Sequence, residues 1–233
     1  WEKSDNENES YINLLWTPLS HQINFNQHSY VELTQYVNHF EYHNQLTNKA
    51  NTFINLFRYC EFNNINLFSF YPLTIILTSN LEYLQLQIEG FKKCYNDIPY
   101  IIFNPERNYP KKYIEYFLVN LSKKIGSVQD MVIPSSHYIG KNLWILKRTN
   151  LNRGRQIKVL SDLNNIIKEI NLMFNENKPN NLIIQKYIEN PLLYQGRKFD
   201  MRIWVLFTYV AKHFKYEVYV FKEGHLKACS DIF

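Results

Sequence analysis

Glycine and cysteine are scarce in this chain of 233 residues. It holds 6 glycines and 8 prolines, which excludes collagen-like and low-complexity classes. Its 3 cysteines are odd in number and widely spaced, so the sequence contains neither a disulfide framework nor a zinc-finger spacing. This pattern favours a reducing compartment for Cys60, Cys94 and Cys229.

Long apolar runs are also missing. The longest, around residues 203–211, is about half of what a membrane-spanning helix requires. The polar, acidic N-terminus shows no signal peptide, so we expect a soluble, intracellular protein with no membrane partner. The first residue is Trp1 and the last residues continue a strand-like pattern, so we expect a piece of a longer protein.

The charge excess is mild. Net charge is +5 and the isoelectric point is about 8.9, which favours an acidic partner surface but is too weak to indicate nucleic acid. Hydrophobic residues make up 45% of the chain and aromatic residues 16%, which is enough for a large core without disulfide bonds.

Apolar periodicity predicts a helix-rich first half, residues 1–130. A helix near 47–60 follows from the apolar stripe that contains Phe53 and Phe57. Ser79 and Glu82 form a capping-box pattern that predicts a second helix, and a third stripe runs through residues 114–125. Short strands are expected after Pro72 and at residues 100–103.

Residues 131–233 have a β-dominated pattern. We predict strands at 142–147, 156–160 and 181–188, with a helix capped by Ser161 between the last two. Residues 198–210 read as one continuous buried strand, and residues 216–221 and 226–229 as a hairpin through Glu223-Gly224. The whole chain therefore predicts an α+β fold.

The segment "WILKRTNLNRGRQIKV" places cations and a glycine between two strands. Glycine lets backbone N–H groups approach a phosphate closely, and Lys147 and Arg153 would supply charge. No Walker-type phosphate loop occurs anywhere in the chain. An ordinary basic hairpin is the alternative interpretation of this stretch.

The segment "KFDMR" alternates ionic and apolar residues. On a strand, Lys198, Asp200 and Arg202 would share one face. A nucleotide would suit that face, because a carboxylate accepts hydrogen bonds from ribose hydroxyls while cations meet phosphates. The alternative is a surface ladder of self-paired ions.

Taken together, "WILKR", "RGRQI", "QKYIENPLL", "RKFDMR" and "EGHLK" occur in an order that resembles the tubulin tyrosine ligase-like family. The resemblance is weaker upstream, at "VNHF", "LTNKANTFINLFRY" and "FYPLTIIL". It implies an ATP-grasp-like fold in which residues 1–130 form the N-terminal and linker region. Residues 131–233 would form the central ATP-grasp region and the start of the C-terminal region, with the remainder of the fold truncated.

The resemblance also implies a reaction, in which ATP activates a tubulin carboxylate as an acyl phosphate and an amino acid then forms an amide. Glycylation and glutamylation both remain open. By motif match, the catalytic residues would be Arg202 and Lys227, and Mg²⁺ ligands are expected downstream of this chain. The implied ATP contacts are Lys147 at the phosphates, Arg153 and Gly154 in the phosphate loop, Gln185, Lys186, Tyr187 and Ile188 at the adenine edge, and Lys198 and Asp200 at the nucleoside.

Three positions depart from the family pattern. Arg148 replaces a proline, Gln156 replaces the second glycine of the phosphate loop, and Lys227 replaces an arginine. Glutamine adds a side chain where backbone would approach phosphate, and an ammonium lacks the fork of a guanidinium. The alternative is therefore an inactive, structural member bound to microtubules or other axonemal proteins in a cilium, so whether this cytoskeletal protein is an enzyme stays open.

Overall fold

The computed structural model describes residues 13–25, 36–103, 134–151, 154–175, 181–210 and 213–233. The chain divides into two units, which we name the sheet unit, Asn44–Pro191, and the hairpin unit, Trp1–His43 with Leu192–Phe233. The predicted helix at residues 114–125 and the predicted site residue Arg153 lie outside the described residues. Both helices and strands are present, which confirms the α+β class.

The helices are α1 Asn44–Thr47, α2 Lys49–Phe62, α3 Leu81–Phe103 and α4 Leu163–Asn175, with short 3₁₀ turns at Ser20–Gln22, Leu67–Ser69 and Ser135–His137. The strands are β1 Leu14–Leu15, β2 Tyr36–Val37, β3 Thr74–Leu77, β4 Trp144–Arg148, β5 Lys158–Leu160, β6 Leu182–Lys186, β7 Phe199–Arg202, β8 Val205–Val210, β9 Lys215–Val220 and β10 His225–Ala228. Within the described ranges, no helix combines the length and the apolar character that a bilayer crossing needs.

The sheet unit is built on four antiparallel strands in the order β3-β6-β4-β5. Because side chains alternate across a strand, Trp144 and Leu146 of β4 point into the core, while Ile145 and Lys147 point to the opposite face. The core contains Trp144, Leu146 and Ile184 from the sheet together with buried apolar residues of the helices.

Helix α2 confirms the predicted stripe. Phe53 and Phe57 are buried, as are Ala50 and Cys60 on the same side. Asn48 caps the helix, because its side chain accepts hydrogen bonds from the N–H groups of Ala50 and Asn51.

Helix α3 begins and ends differently from the prediction. Asn80 is the cap, with its side chain accepting from the N–H of Glu82 at 3.0 Å, so the expected role of Ser79 was wrong. Residues 100–103, predicted as a strand, are the last turn of this helix. A short apolar run does not distinguish a strand from a helix, and here the buried stripe of Phe91, Cys94 and Ile98 continues the helical period.

Helix α4 has the predicted apolar face, with Ile166 and Ile170 buried. Its cap is Asp162 instead of Ser161, because the Asp162 carboxylate accepts from the N–H of Asn165 at 2.8 Å. Neighbouring Ser and Asp residues are both good caps, and the sequence alone did not choose between them.

The hairpin unit corrects two strand predictions. Residues 198–210 form two strands, β7 and β8, instead of one, and Trp204 and Val205 at the break are about half exposed instead of buried, at 48% and 58%. The expected hairpin between residues 216–221 and 226–229 does not form, because β9 pairs with β8 and β10 pairs with β7. The β8–β9 pair is itself a hairpin, displaced toward the N-terminus, whereas the β7–β10 pair joins segments further apart in the sequence than the turn at Glu223-Gly224 suggested.

The other pair of this unit is β1 with β2, which run parallel. The side chain of Asn38 bonds both backbone groups of Thr17, at 3.1 and 2.8 Å, and His39 Nε2 lies 3.0 Å from the Thr17 carbonyl oxygen. The "VNHF" segment therefore fastens β2 beside the chain that follows β1.

Gly224 is required by a close approach. A Cβ at this position would lie 2.8 Å from the Arg202 carbonyl oxygen and 3.0 Å from Ile203 Cδ1. We expect Gly224→Ala to lower the free energy of unfolding by about 1–3 kcal/mol, because backbone must move to admit the methyl group. Urea denaturation measures this. The exposed neighbour variant Glu223→Ala should change stability by less than about 0.5 kcal/mol, and equal losses in the two variants would contradict the explanation.

Candidate functional site

The candidate site in the sheet unit is a polar row across three strands. Lys147 Nζ on β4 donates to Gln185 Oε1 on β6 at 2.8 Å, and Gln185 Nε2 donates to Thr74 Oγ1 on β3 at 2.8 Å. Thr74 in turn donates to the Pro72 carbonyl oxygen at 2.7 Å. This chain of hydrogen bonds fixes the Gln185 amide and, through it, the position of the Lys147 ammonium.

In the part of the chain that the structure describes, no carboxylate pairs with the Lys147 ammonium. Burial lowers the pKa of Lys147, and the nearby ammonium of Lys49 lowers it further. Lys49, the first residue of α2, donates to the Leu151 carbonyl oxygen at 2.6 Å. Among the described residues neither lysine forms an ion pair, so two ammonium groups stand together where an anion would relieve their repulsion.

Lys49 is a site residue that the sequence analysis missed. It lies directly after the cap Asn48, and its fixed position at the start of α2 could have been inferred from the cap. Its proximity to Lys147, by contrast, depends on a pairing that spans 102 residues, from Lys49 to Leu151.

The phosphate-loop candidate is a turn with left-handed backbone. Gly154 has a φ of +72° and Gln156 a φ of +53°. Gln156 therefore holds a conformation that glycine adopts without cost and that other residues rarely take. Arg148, at the other departure from the family pattern, points into the core and donates to the Met173 carbonyl oxygen at 2.7 Å.

The predicted adenine edge, residues 185–188, is anchored by a buried ion pair. Lys186 Nζ lies 2.6 Å from Glu189 Oε1, and both side chains are wholly buried. Burial pushes the pKa of Glu189 upward, but hydrogen bonds from Lys186 and from backbone N–H groups outweigh it and hold the pKa below its usual value. The Lys186 side chain is thus committed to the core, and Tyr187 and Ile188 follow it along the chain.

The hairpin unit carries the second ionic row. In the β7–β10 register Lys227 lies opposite Asp200, and His225 lies opposite Arg202. Alternation then places Lys198, Asp200, Arg202 and Lys227 on one face of this two-stranded sheet. Lys198 Nζ lies 4.2 Å from the centre of the Phe233 ring, a cation–π contact.

The predicted residues thus fall into two groups. Lys147, Gly154, Gln185, Lys186, Tyr187 and Ile188 belong to the sheet unit, and Lys198, Asp200, Arg202 and Lys227 to the hairpin unit. Within the described ranges, no group of three or more His, Cys, Asp and Glu side chains is arranged to hold a metal ion.

The fold and the site thus define a mixed α+β chain that carries cationic and carboxylate side chains on its sheet faces. A family model described as the tubulin-tyrosine ligase family matches residues 26–233, and the chain belongs to this family.

Similar proteins match parts of the chain. Tubulin glycylase 3B of Tetrahymena thermophila is 36% identical over 114 residues, which cover 48% of this chain and 9% of that relative. Tubulin glycylase 3D of the same organism is 48% identical over 67 residues, covering 29% and 6%. Tubulin monoglycylase TTLL3 of Mus musculus is 33% identical over 97 residues, covering 42% and 10%. The matched segments thus span about a tenth or less of each relative.

The left-handed turn generates a stability prediction. We expect Gln156→Gly to raise the free energy of unfolding by about 0.5 kcal/mol, because relief of backbone strain exceeds the added entropy of the unfolded chain. Gly154→Ala should lower it by about 1 kcal/mol through strain alone, since nothing lies within 4 Å of the position its Cβ would take. Chemical denaturation measures both. Gln156→Ala is the control and should give no gain; destabilisation by Gln156→Gly would show that the side chain holds the loop.

Proposed function

We propose that the chain is part of an ATP-dependent ligase that joins an amino acid to a carboxylate of tubulin. The observation that carries the proposal is the pair of ammonium groups of Lys147 and Lys49 beside the ordered Gln185, which have no carboxylate partner among the described residues. Membership of the tubulin-tyrosine ligase family supports the reaction class. The three relatives described above are named as glycylases, so we propose glycine, in preference to glutamate, as the amino acid.

The proposed chemistry needs no nucleophile from the protein. ATP would phosphorylate the acceptor carboxylate, and the amine of the amino acid would displace phosphate from the acyl phosphate to form an amide. Lys147 and Lys49 would bind the phosphates, and partial burial strengthens the attraction between a Lys147 ammonium and a phosphate. Arg153 and Gly154 would cover the phosphates, and Mg²⁺ would share their negative charge.

The ionic row of the hairpin unit carries the other roles that the family resemblance implies. In this proposal Lys198 and Asp200 bind the nucleoside, and Arg202 and Lys227 bind the reacting phosphoryl group and acceptor. Residues 131–233 would form the central ATP-grasp region, and residues 1–130 the N-terminal and linker region. The expected partner is tubulin or the microtubule, with cytoskeletal localisation, including the cilium or axoneme.

A second candidate is an inactive member that serves as a structural protein on microtubules. Gln156 favours it, because this residue places a side chain on a turn where a phosphate would approach backbone. Lys227 favours it too, since a single ammonium cannot form the bidentate contact of an arginine.

The phosphate role of Lys147 is open to a direct test. We expect Lys147→Met to weaken ATP binding about 10- to 100-fold in calorimetric titration, because a charge-assisted hydrogen bond to phosphate is lost. The matched control is Lys158→Met in β5 of the same sheet, where the lysine pairs with Glu169 at 2.7 Å. Equal affinities of the wild type and Lys147→Met for ATP would contradict the assignment.

The reaction itself is tested with full-length protein, tubulin, Mg-ATP and radiolabelled amino acids. We expect incorporation of glycine into tubulin at a rate well above that of glutamate, dependent on ATP. Lys158→Met should retain this activity, and Lys147→Met should lose most of it. ATP binding without incorporation of any amino acid would favour the structural candidate.

A further inference from the structure

Glu189 organises the loop that leads into strand β4. Its carboxylate accepts three backbone hydrogen bonds, from the N–H groups of Ile139 at 2.8 Å, Lys141 at 3.1 Å and Leu143 at 2.6 Å. The intervening residues Gly140 and Asn142 have φ of +100° and +46°. This alternation turns successive N–H groups to one side and makes a concave anion site, which the protein fills with its own carboxylate.

Lys186 completes the arrangement from the strand side. Its Nζ donates to Glu189 at 2.6 Å and to the Leu143 carbonyl oxygen at 2.8 Å. The rings of Tyr138 and Trp144 lie 5.7 and 5.8 Å from the same atom. This buried ammonium therefore connects the end of β6 with the loop before β4.

The two segments are also joined through their main chains. The N–H of Tyr187 donates to the Leu143 carbonyl oxygen at 3.0 Å, and the N–H of Asn190 donates to the Ser136 carbonyl oxygen at 2.9 Å. Residues 186–190 are thus held against residues 136–143 at both ends. The ion pair of Lys186 and Glu189 lies at the centre of this contact.

A buried ion pair contributes little net stability, because desolvation offsets attraction, but it fixes geometry strongly since a lone buried charge is costly. The segment fixed here directly follows Gln185, which binds Lys147. The adenine edge of the proposed nucleotide site, residues 185–188, overlaps this fixed segment at residues 186–188. The ion pair is therefore placed to determine where that edge lies.

We propose that Glu189 is a positioning residue for the adenine ring: with Lys186 it holds residues 185–188 in the place where their backbone meets the base. The proposal rests on the proposed function, because it takes ATP as the ligand. Glu189 touches no phosphate in this assignment. Its loss should therefore weaken recognition of the base while leaving phosphate binding intact.

The test compares ATP with inorganic tripolyphosphate, which carries the phosphates without the base. Calorimetric titration of the full-length wild type and Glu189→Gln should show about tenfold weaker binding of ATP by the variant, the loss expected from a small displacement of a contact edge. Binding of tripolyphosphate should be unchanged. Glu89→Gln is the matched control, because Glu89 and Lys92 form another pair three residues apart that is exposed instead of buried.

The outcomes separate the two proposals. If the wild type does not bind ATP, the proposed function is wrong and this inference falls with it. If the wild type binds ATP and Glu189→Gln binds it equally well, the inference alone is wrong. Equal losses for ATP and tripolyphosphate would reveal a general structural role and would also overturn it.

Hydrogen exchange of the wild type provides a measurement that needs no variant. ATP should increase the protection of amides in residues 139–143 and 186–190, because an adenine bound to residues 185–188 would stabilise both of these segments. Tripolyphosphate should increase it much less. Equal protection by the two ligands, or none by ATP, would contradict the positioning role even if Glu189→Gln failed to fold.

Discussion

The register of β4 on β6 determines both the core and the polar row of the sheet unit. Trp144 lies opposite Lys186 and Leu146 opposite Ile184, so these four side chains share the core face. Lys147 and Gln185 are then necessarily on the other face, where they meet. A slip of one residue would exchange the faces, bury Lys147 and expose Leu146, at a cost no local contact could offset.

Two lysines of this sheet show how the same residue type acquires opposite roles. Lys186 is wholly buried, and the Glu189 carboxylate compensates its charge, so this lysine needs no further partner and acts structurally. Lys147 is partly buried, donates to a neutral amide, has no carboxylate partner in the described ranges and has a second ammonium nearby. A charge without a carboxylate partner is the place where an external anion gains most, and ligand phosphates are proposed to bind there.

Alternation and helical period predicted α2, β4 and β6, because each pattern reports a buried face that the tertiary structure uses. They did not predict that Asn80 caps α3, because neighbouring residues were equally suitable caps. They also did not predict that β10 pairs with β7, because that pairing joins distant segments and leaves β9 to pair with β8. The site divides in the same way. Lys147 and Gln185 belong to recognisable motifs. Lys49, by contrast, reaches them through a contact with Leu151, 102 residues away, and the backbone N–H groups that Glu189 binds lie at least 46 residues away.

The left-handed backbone at Gln156 bears on whether the departures from the family pattern remove activity. The turn keeps positive φ at both Gly154 and Gln156, so the chain follows a path that a second glycine would also allow. Glutamine at position 156 therefore adds backbone strain and a side chain, but the backbone keeps the path that glycine would take. That side chain is exposed, so it can turn away from a bound phosphate. Gln156 alone therefore makes the loop less favourable, and the case for the proposed structural candidate depends more on Lys227.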